Sequence, residues 1–288
     1  MATIRFTDRR DYDRHLSPSG LVSIVPHMLS GDFAEHTHDY AELFIVQSGA
    51  AVHRVNGKED VLRPGDVYVL GEGVSHAFLG AKKLALYNIG YRPALLSLLG
   101  DDVRKLHGYQ ALFVIAPSSS DTGYRASMRL APAERAAVTA IIERVLAELA
   151  LHAGGNETLS HLAVSELIVR LSRYYAPHRS SFMNAIDPLA RTAGFMEAHW
   201  NRPLTVQTLA KQYGSSVRHF DRVFKAHYGM TPFDYILRHR IRRAGEMLAG
   251  PIRPITDIAF DCGFTDSNYF SRQFKRLTGR SPSDVRRR

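Results

Sequence analysis

Residues 270–282 read FSRQFKRLTGRSP, and residues 220–232 read FDRVFKAHYGMTP. Both spell Phe-x-Arg-x-Phe-Lys, then three free positions, then Gly-x-(Thr/Ser)-Pro. On a helix, Val217, Phe220 and Phe224 fall at i, i+3 and i+7 and share one apolar face. Arg218, Arg222 and Lys225 fall on a different face. In the second copy Phe270, Phe274 and Leu277 make the apolar stripe, and Asn268, Arg272 and Lys275 take the polar positions. Upstream of each copy a short helical stretch ends at a glycine: LAKQYG at Gly214 and IAFDCG at Gly263. Helix, short glycine turn and second helix make a helix-turn-helix, whose second helix enters the DNA major groove.

Working outward, PFDYILRHRIRRAGEMLAG (232–250) begins with a helix-starting proline and ends at a glycine. About 17 residues at ~1.5 Å each predict a spacer of roughly 25 Å. A rod of that order suits two recognition helices in successive major grooves, ~34 Å apart. Charge agrees with this reading. From His178 to the end there are 19 Lys+Arg against 9 Asp+Glu, whereas the first 177 residues hold 18 against 19. All of the +9 excess therefore lies in the segment that carries the repeat, the footprint of a polyanion binder.

The N-terminal part has a different period. LVSIV (21–25), ELFIVQ (42–47), AAVHRV (50–55), DVYVL (66–70) and ALYNIGY (85–91) read as short strands. Asn56-Gly57 marks a hairpin and Pro64-Gly65 a turn, so a barrel or sandwich is expected. Two amphipathic helices follow. The first has Val138, Ile141, Ile142, Val145, Leu146 and Leu149 on its stripe; the second, from about Glu157 to Tyr175, has Leu159, Leu162, Leu167 and Leu171. These helices either cover the β domain or pair with a second copy of the chain. Ala176-Pro177 and HRSS read as a linker, and helices are expected over 187–199, 205–212, 216–228, 232–248, 255–262 and 267–278. The charged N-terminus and the lack of a long apolar run give no signal peptide or membrane span. With Cys262 the single cysteine, no internal disulfide forms, which fits a reducing cytoplasm.

The segment from Leu204 to Arg287, above all ITDIAFDCGFTDSNYFSRQFKRLTGRSPSDVR, resembles the DNA-binding domain of AraC-type transcription regulators. The resemblance implies two helix-turn-helix units joined by a long helix. It also implies that Arg218, Asp221 and Arg222 of the first recognition helix, and Ser267, Asn268, Ser271 and Arg272 of the second, face bases or nearby phosphates. Lys225 and Lys275 join them as basic positions. Asp221 departs from what a phosphate-facing slot wants: it either accepts from a cytosine amino group or pairs with Arg218 or Lys225.

In HTHDYAELFIVQSG, His36, His38 and Glu42 share strand parity, and His76 lies in a later β stretch. The spacing His-x-His-x3-Glu-x6-Gly, followed by Gly73-x2-His76, resembles the two cupin motifs, whose four side chains ligate a divalent ion in metal-binding members. Gly71 and Gly80 depart from the second motif, which usually has Pro and Asn there. Three readings of the four residues stay open: a catalytic metal site, an effector site with or without metal, or a structural polar patch. GDFAEHTHDYAELFIVQSG, VHRVNG and LALYNIGYRP look like the rhamnose-responsive members of the AraC family, which implies a sugar effector with L-rhamnose first.

The chain is accordingly expected to be a multidomain α and β protein. Residues 1–177 form a cupin-like β-barrel with a helical dimerisation segment, 178–186 a linker, and 187–288 an all-α domain with two helix-turn-helix units. Its expected function is that of a cytoplasmic, homodimeric, sugar-responsive activator that binds promoter DNA and RNA polymerase. No cofactor is required, though a divalent metal in the cupin site is admissible. The alternative is a metal-dependent cupin enzyme with a helical appendage.

Overall fold

Three long strands dominate the N-terminal part, and all three double back on themselves. The computed structural model describes residues 2–4, 21–118, 128–151, 153–175 and 181–286. Its strands are β1 (Ala2–Ile4), β2 (Val22–His38), β3 (Ala41–Val55), β4 (Lys58–Val61), β5 (Asp66–Leu70), β6 (His76–Tyr91) and β7 (Met128–Arg129). They pair in the order β1-β2-β6-β3-β5-β7, with β4 on β3. All neighbours are antiparallel except β1, which runs parallel to β2 with Ala2 opposite His36.

Curvature follows from register. Glu42 pairs with Gly90 at one end of the β3–β6 ladder and Val55 with His76 at the other. A straight strand would hold those ends ~40 Å apart at ~3.3 Å per residue. Yet His76 Nε2 lies 3.3 Å from Glu42 Oε2, and the rings of Phe44 and His53, both on β3, are 5.0 Å apart. The sheet therefore curls into a barrel whose wall is one bent ladder. The bend falls where pairing slips, between Val46 and Val52 of β3. Gly49 makes it possible: φ is +80°, and a Cβ there would lie 2.2 Å from the Lys83 carbonyl oxygen. ELFIVQ and AAVHRV, expected as separate strands, are thus two arms of β3. Asn56 and Gly57 both take positive φ, 45° and 77°, as a type I′ hairpin demands. The barrel core is Phe44 stacked on Tyr68, with Val46, Val55, Leu70, Leu84 and Leu86 around them.

Short helical turns across residues 93–118 lead to α1 (Pro132–Ala150) and α2 (Asn156–Tyr174). One of these turns meets α2 so closely that a Cβ on Gly108 would lie 2.1 Å from the Ser172 oxygen. The stripe expected for α1 is largely buried, with Val138, Ile141, Ile142, Val145 and Leu149 inside. That expected for α2 is only half right. Leu167 and Leu171 are buried, but Leu159 and Leu162 are 44% and 62% exposed, because Ala163, Val164 and Ile168 complete the inner face instead.

The expected linker is also corrected. Residues 178–180 lie outside the described residues, but α3 runs unbroken from Ser181 to Ala198, and the boundary between compact units falls at Ala190/Arg191. Phe182, Met183 and Ile186 carry a helical spacing that the neighbouring HRSS run obscured. Thereafter come α4 (Val206–Tyr213), α5 (Val217–Tyr228), α6 (Pro232–Ala249), α7 (Ile255–Asp261), α8 (Ser267–Thr278) and α9 (Pro282–Arg286), close to expectation. Local chemistry sets their ends. Thr205, Ser216, Thr231 and Asp266 cap the N-termini of α4, α5, α6 and α8 through side-chain oxygens. Gly214, Gly229 and Gly279 close α4, α5 and α8 at positive φ.

Candidate functional site

Two sites arise from these elements. The first is the pair of recognition helices, α5 and α8. Phe220 and Phe224, and at the same register Phe270 and Phe274, are fully buried. This anchors each helix and turns Arg218, Arg222 and Lys225, or Asn268, Arg272 and Lys275, to solvent. Arg222 spends one guanidinium donor on His219 Nδ1, at 3.2 Å. Asp221 and Ser271 sit instead on the flank between buried and exposed faces. Ser271 gives its hydroxyl to the Ser267 carbonyl, and Asp221 Oδ1 is enclosed with no hydrogen-bond partner. Both are therefore poorly aimed at a groove. Two exposed residues on the same arc escaped the motif comparison, His219 and Arg276, which lie three residues before Arg222 and four after Arg272.

The second site lies inside the barrel. His36 and His38 end β2, Glu42 begins β3 and His76 begins β6, and the bent ladder brings all four together, buried. His38 Nε2 and His76 Nε2 are 2.9 Å apart, and Glu42 oxygens lie 3.5 and 3.3 Å from them. His36 Nδ1 is 2.8 Å from the Ala34 carbonyl. A carbonyl only accepts, so Nδ1 carries the proton and Nε2 is left with its lone pair. Two further residues complete the cluster and were not anticipated. His53 Nε2 lies 3.1 Å from His76 Nδ1, and the Asn88 amide donates to Glu42 Oε1. Neither belongs to the motif spacing. Parity of His53 within AAVHRV was the available signal.

Electrostatics at this site centre on the Glu42 carboxylate. Burial works against the charge on Glu42, but His76, His38, His36 and the Asn88 amide outweigh it and hold its pKa near 2. Burial takes His76 down to about 3, against the pull of Glu42, and takes His53 well below its ordinary value. At neutral pH the buried Glu42 carboxylate is thus charged, beside His76 and His53, whose own charge burial opposes. Ligand atoms of His36, His38 and His76 lie within 4.8 Å of one another. Three imidazoles, with the Glu42 carboxylate 3.3–3.5 Å from two of them, are a donor set that suits a first-row divalent ion. Hydrogen bonds from His53 and Asn88 would orient two of the ligands. The cavity beside them, lined also by Leu29, Phe33, Tyr40 and Phe78, is about 40 Å³. That is room for about three waters.

Two family models match the chain: an AraC-like ligand binding domain over residues 30–171 and a helix-turn-helix domain over residues 209–288. The chain is an AraC-type regulator. It is 29% identical over 269 residues to "HTH-type transcriptional activator RhaS" of Klebsiella pneumoniae (strain 342), covering 92% of this chain and 91% of that protein. Identity is again 29%, over 273 residues, to the protein of the same name from Escherichia coli (strain SE11), covering 93% and 94%. Among solved structures, the DNA-binding domain of AdpA in complex with a target DNA matches at 29% identity. It covers 35% of this chain and 90% of that one, with a TM-score of 0.34. In this AraC-type regulator the helix-turn-helix match begins within α4 and spans both recognition helices, and the ligand-binding match takes in all four cupin-motif residues. No helix among the described residues is long and apolar enough to cross a membrane.

Proposed function

We propose that this AraC-type regulator is a cytoplasmic activator, and not an enzyme, that recruits RNA polymerase when a small sugar occupies the barrel. L-Rhamnose is the first candidate effector. The observation that carries the sugar reading is the composition of the barrel site. The rings of Phe33, Tyr40 and Phe78 offer faces for sugar C–H groups, and His36, His38, Glu42 and Asn88 offer hydroxyl partners. Similarity to two activators named RhaS supports it. A sugar exceeds the present cavity, so binding displaces the wall. Pairing between β2 and β6 slips between Leu29 and His36, so the wall beside the cavity has an irregular stretch that can yield. A divalent cation on His36, His38, His76 and Glu42 would offset the buried charge and act as a Lewis acid toward effector hydroxyls.

Thermal denaturation of purified protein tests both parts. Ligand at about a hundred times its Kd stabilises the folded state by ~2.7 kcal/mol. L-Rhamnose is expected to raise the melting temperature of the N-terminal unit, and zinc, nickel or manganese to raise it independently. Glu42→Gln should lower metal affinity at least ~10–100-fold, the scale set by changes around ligands. If no sugar shifts the melt with or without metal, while another ligand class does, the effector assignment is wrong.

On DNA we propose that Arg218, Arg222, Lys225, Asn268, Arg272 and Lys275 contact bases and phosphates. Arg favours guanine and Asn adenine, so α5 and α8 would read different half-sites. We further propose a homodimer through the outer face of α1 and α2. Exposed Leu159 and Leu162 there line a groove with Val145, flanked by Arg144, Glu148 and Glu166. Leu162→Glu is expected to convert the dimer to monomer in sedimentation while the far-UV circular dichroism stays that of the folded protein, and to remove any dependence of the melting temperature on protein concentration. A dimer that persists would remove this face from consideration.

A further inference from the structure

The junction between the two helix-turn-helix units holds a cavity of about 220 Å³. Leu204, Val206 and Phe233 line it from the first unit's side, and Phe264 and Tyr269 from the second's. Apolar packing therefore leaves the two units poorly locked to each other, although each rests on α6. A polar contact stands in its place. Arg240, in the middle of α6 and half-buried, directs its guanidinium at three main-chain carbonyls. Nε donates to Trp200 O at 2.7 Å, Nη2 to Arg202 O at 2.8 Å and Nη1 to Gly263 O at 2.8 Å. Trp200 and Arg202 lie in the loop leading into α4, and Gly263 is the turn of the second unit.

The same turn is pressed against that loop. Gly263 has φ +77°, and a Cβ on it would lie 2.6 Å from the Asn201 oxygen. The guanidinium also sits 5.8 Å from the Phe264 ring. Three of its five N–H donors, one on each nitrogen, are thus engaged on carbonyls. Recognition helix α8 begins four residues after Gly263, so a displaced turn moves α8 relative to α5.

From this geometry we propose that Arg240 is a positioning residue for DNA reading: its fork fixes the distance between α5 and α8, and hence the spacing between the two half-sites. The inference rests on both helices engaging one duplex together. Carbonyls are the fitting acceptors, since a planar guanidinium reaches several at fixed angles whereas an ammonium does not.

The test uses full-length protein and a duplex of ~30 base pairs, about three helical turns, selected by the wild-type protein from random sequence. Variants of that duplex have the two half-sites one or two base pairs nearer or farther apart. Wild type should prefer its own spacing, and Arg240→Met should bind that spacing roughly tenfold more weakly, the scale of one mismatched base pair. Altered spacings should lose little, so discrimination collapses, with Arg240→Lys intermediate. An equal loss at every spacing, or none at any, overturns the proposal. Should Arg240→Met fail to fold, Gly263→Ala pushes on the same turn from the Asn201 side, and an unchanged spacing preference there also overturns it. A wild-type protein indifferent to spacing would sink the two-helix reading itself, and this inference with it.

Discussion

Replacing Arg222 and Arg272 together with alanine is expected to remove specific promoter binding while leaving the protein folded. Each is exposed on its recognition helix, while Phe220, Phe224, Phe270 and Phe274 secure those helices from the opposite face. One arginine on a base edge or phosphate contributes ~1–3 kcal/mol. The pair therefore contributes about 2–6 kcal/mol, or roughly 30-fold to 10⁴-fold in affinity. Fluorescence anisotropy on a labelled promoter duplex measures the loss, and a salt series identifies its origin. For each phosphate that is no longer neutralised, the slope of log affinity against log salt should fall by ~0.9. A double variant that binds its promoter like wild type would show that these helices do not face DNA.

How legible these sites were depended on the distance over which the causes act. The helical domain is built from local rules: caps at Ser216 and Asp266, glycine stops at Gly214 and Gly279, and a phenylalanine pair four residues apart in each recognition helix. Each rule reads within one or two turns, so the elements fell close to expectation. The barrel depends on long-range register. His36, His38 and Glu42 were placed by parity on one strand, yet Asp39 and Tyr40 break it, and Glu42 starts the next strand. The cluster forms because β2 and β3 both pair with β6 and all three bend. His53 and Asn88 reach it by the same route from 11 residues after Glu42 and 12 after His76, beyond any motif spacing. Likewise no periodicity tells a leucine stripe facing its own domain from one left outside. For that reason the leucine pattern left both alternatives open, covering the β domain or pairing with a second copy, and Leu159 and Leu162 prove to be exposed.

Phe274→Ala should cost as much as changes on the DNA face, but through a different route. Phe274 sits with Phe270, Ile258, Ala259, Cys262 and Phe264 against Leu237, Ile241, Ala244 and Leu248 of α6. Removing a buried phenylalanine from such a cluster costs ~3–5 kcal/mol. That is a large part of the ~5–15 kcal/mol that holds a small domain together. The first unit has its own aromatic cluster, with Phe224 5.6 Å from Phe220, 4.2 Å from Tyr228 and 5.5 Å from Tyr235. The two cores meet different stretches of α6, so they should fail separately. In Phe274→Ala, amides of α7 and α8 should lose their hydrogen-exchange protection while those of α4 and α5 keep most of theirs. Affinity for the full site should drop to that of a single half-site, a loss of ~10³-fold or more on the usual scale of specific over non-specific binding. Arg272→Ala would weaken the same half-site with no change in exchange, which separates a missing DNA-facing side chain from a melted helix. If α4 and α5 open together with α7 and α8, the helical domain is one cooperative unit, and its two readers cannot be disabled one at a time by mutation of their cores.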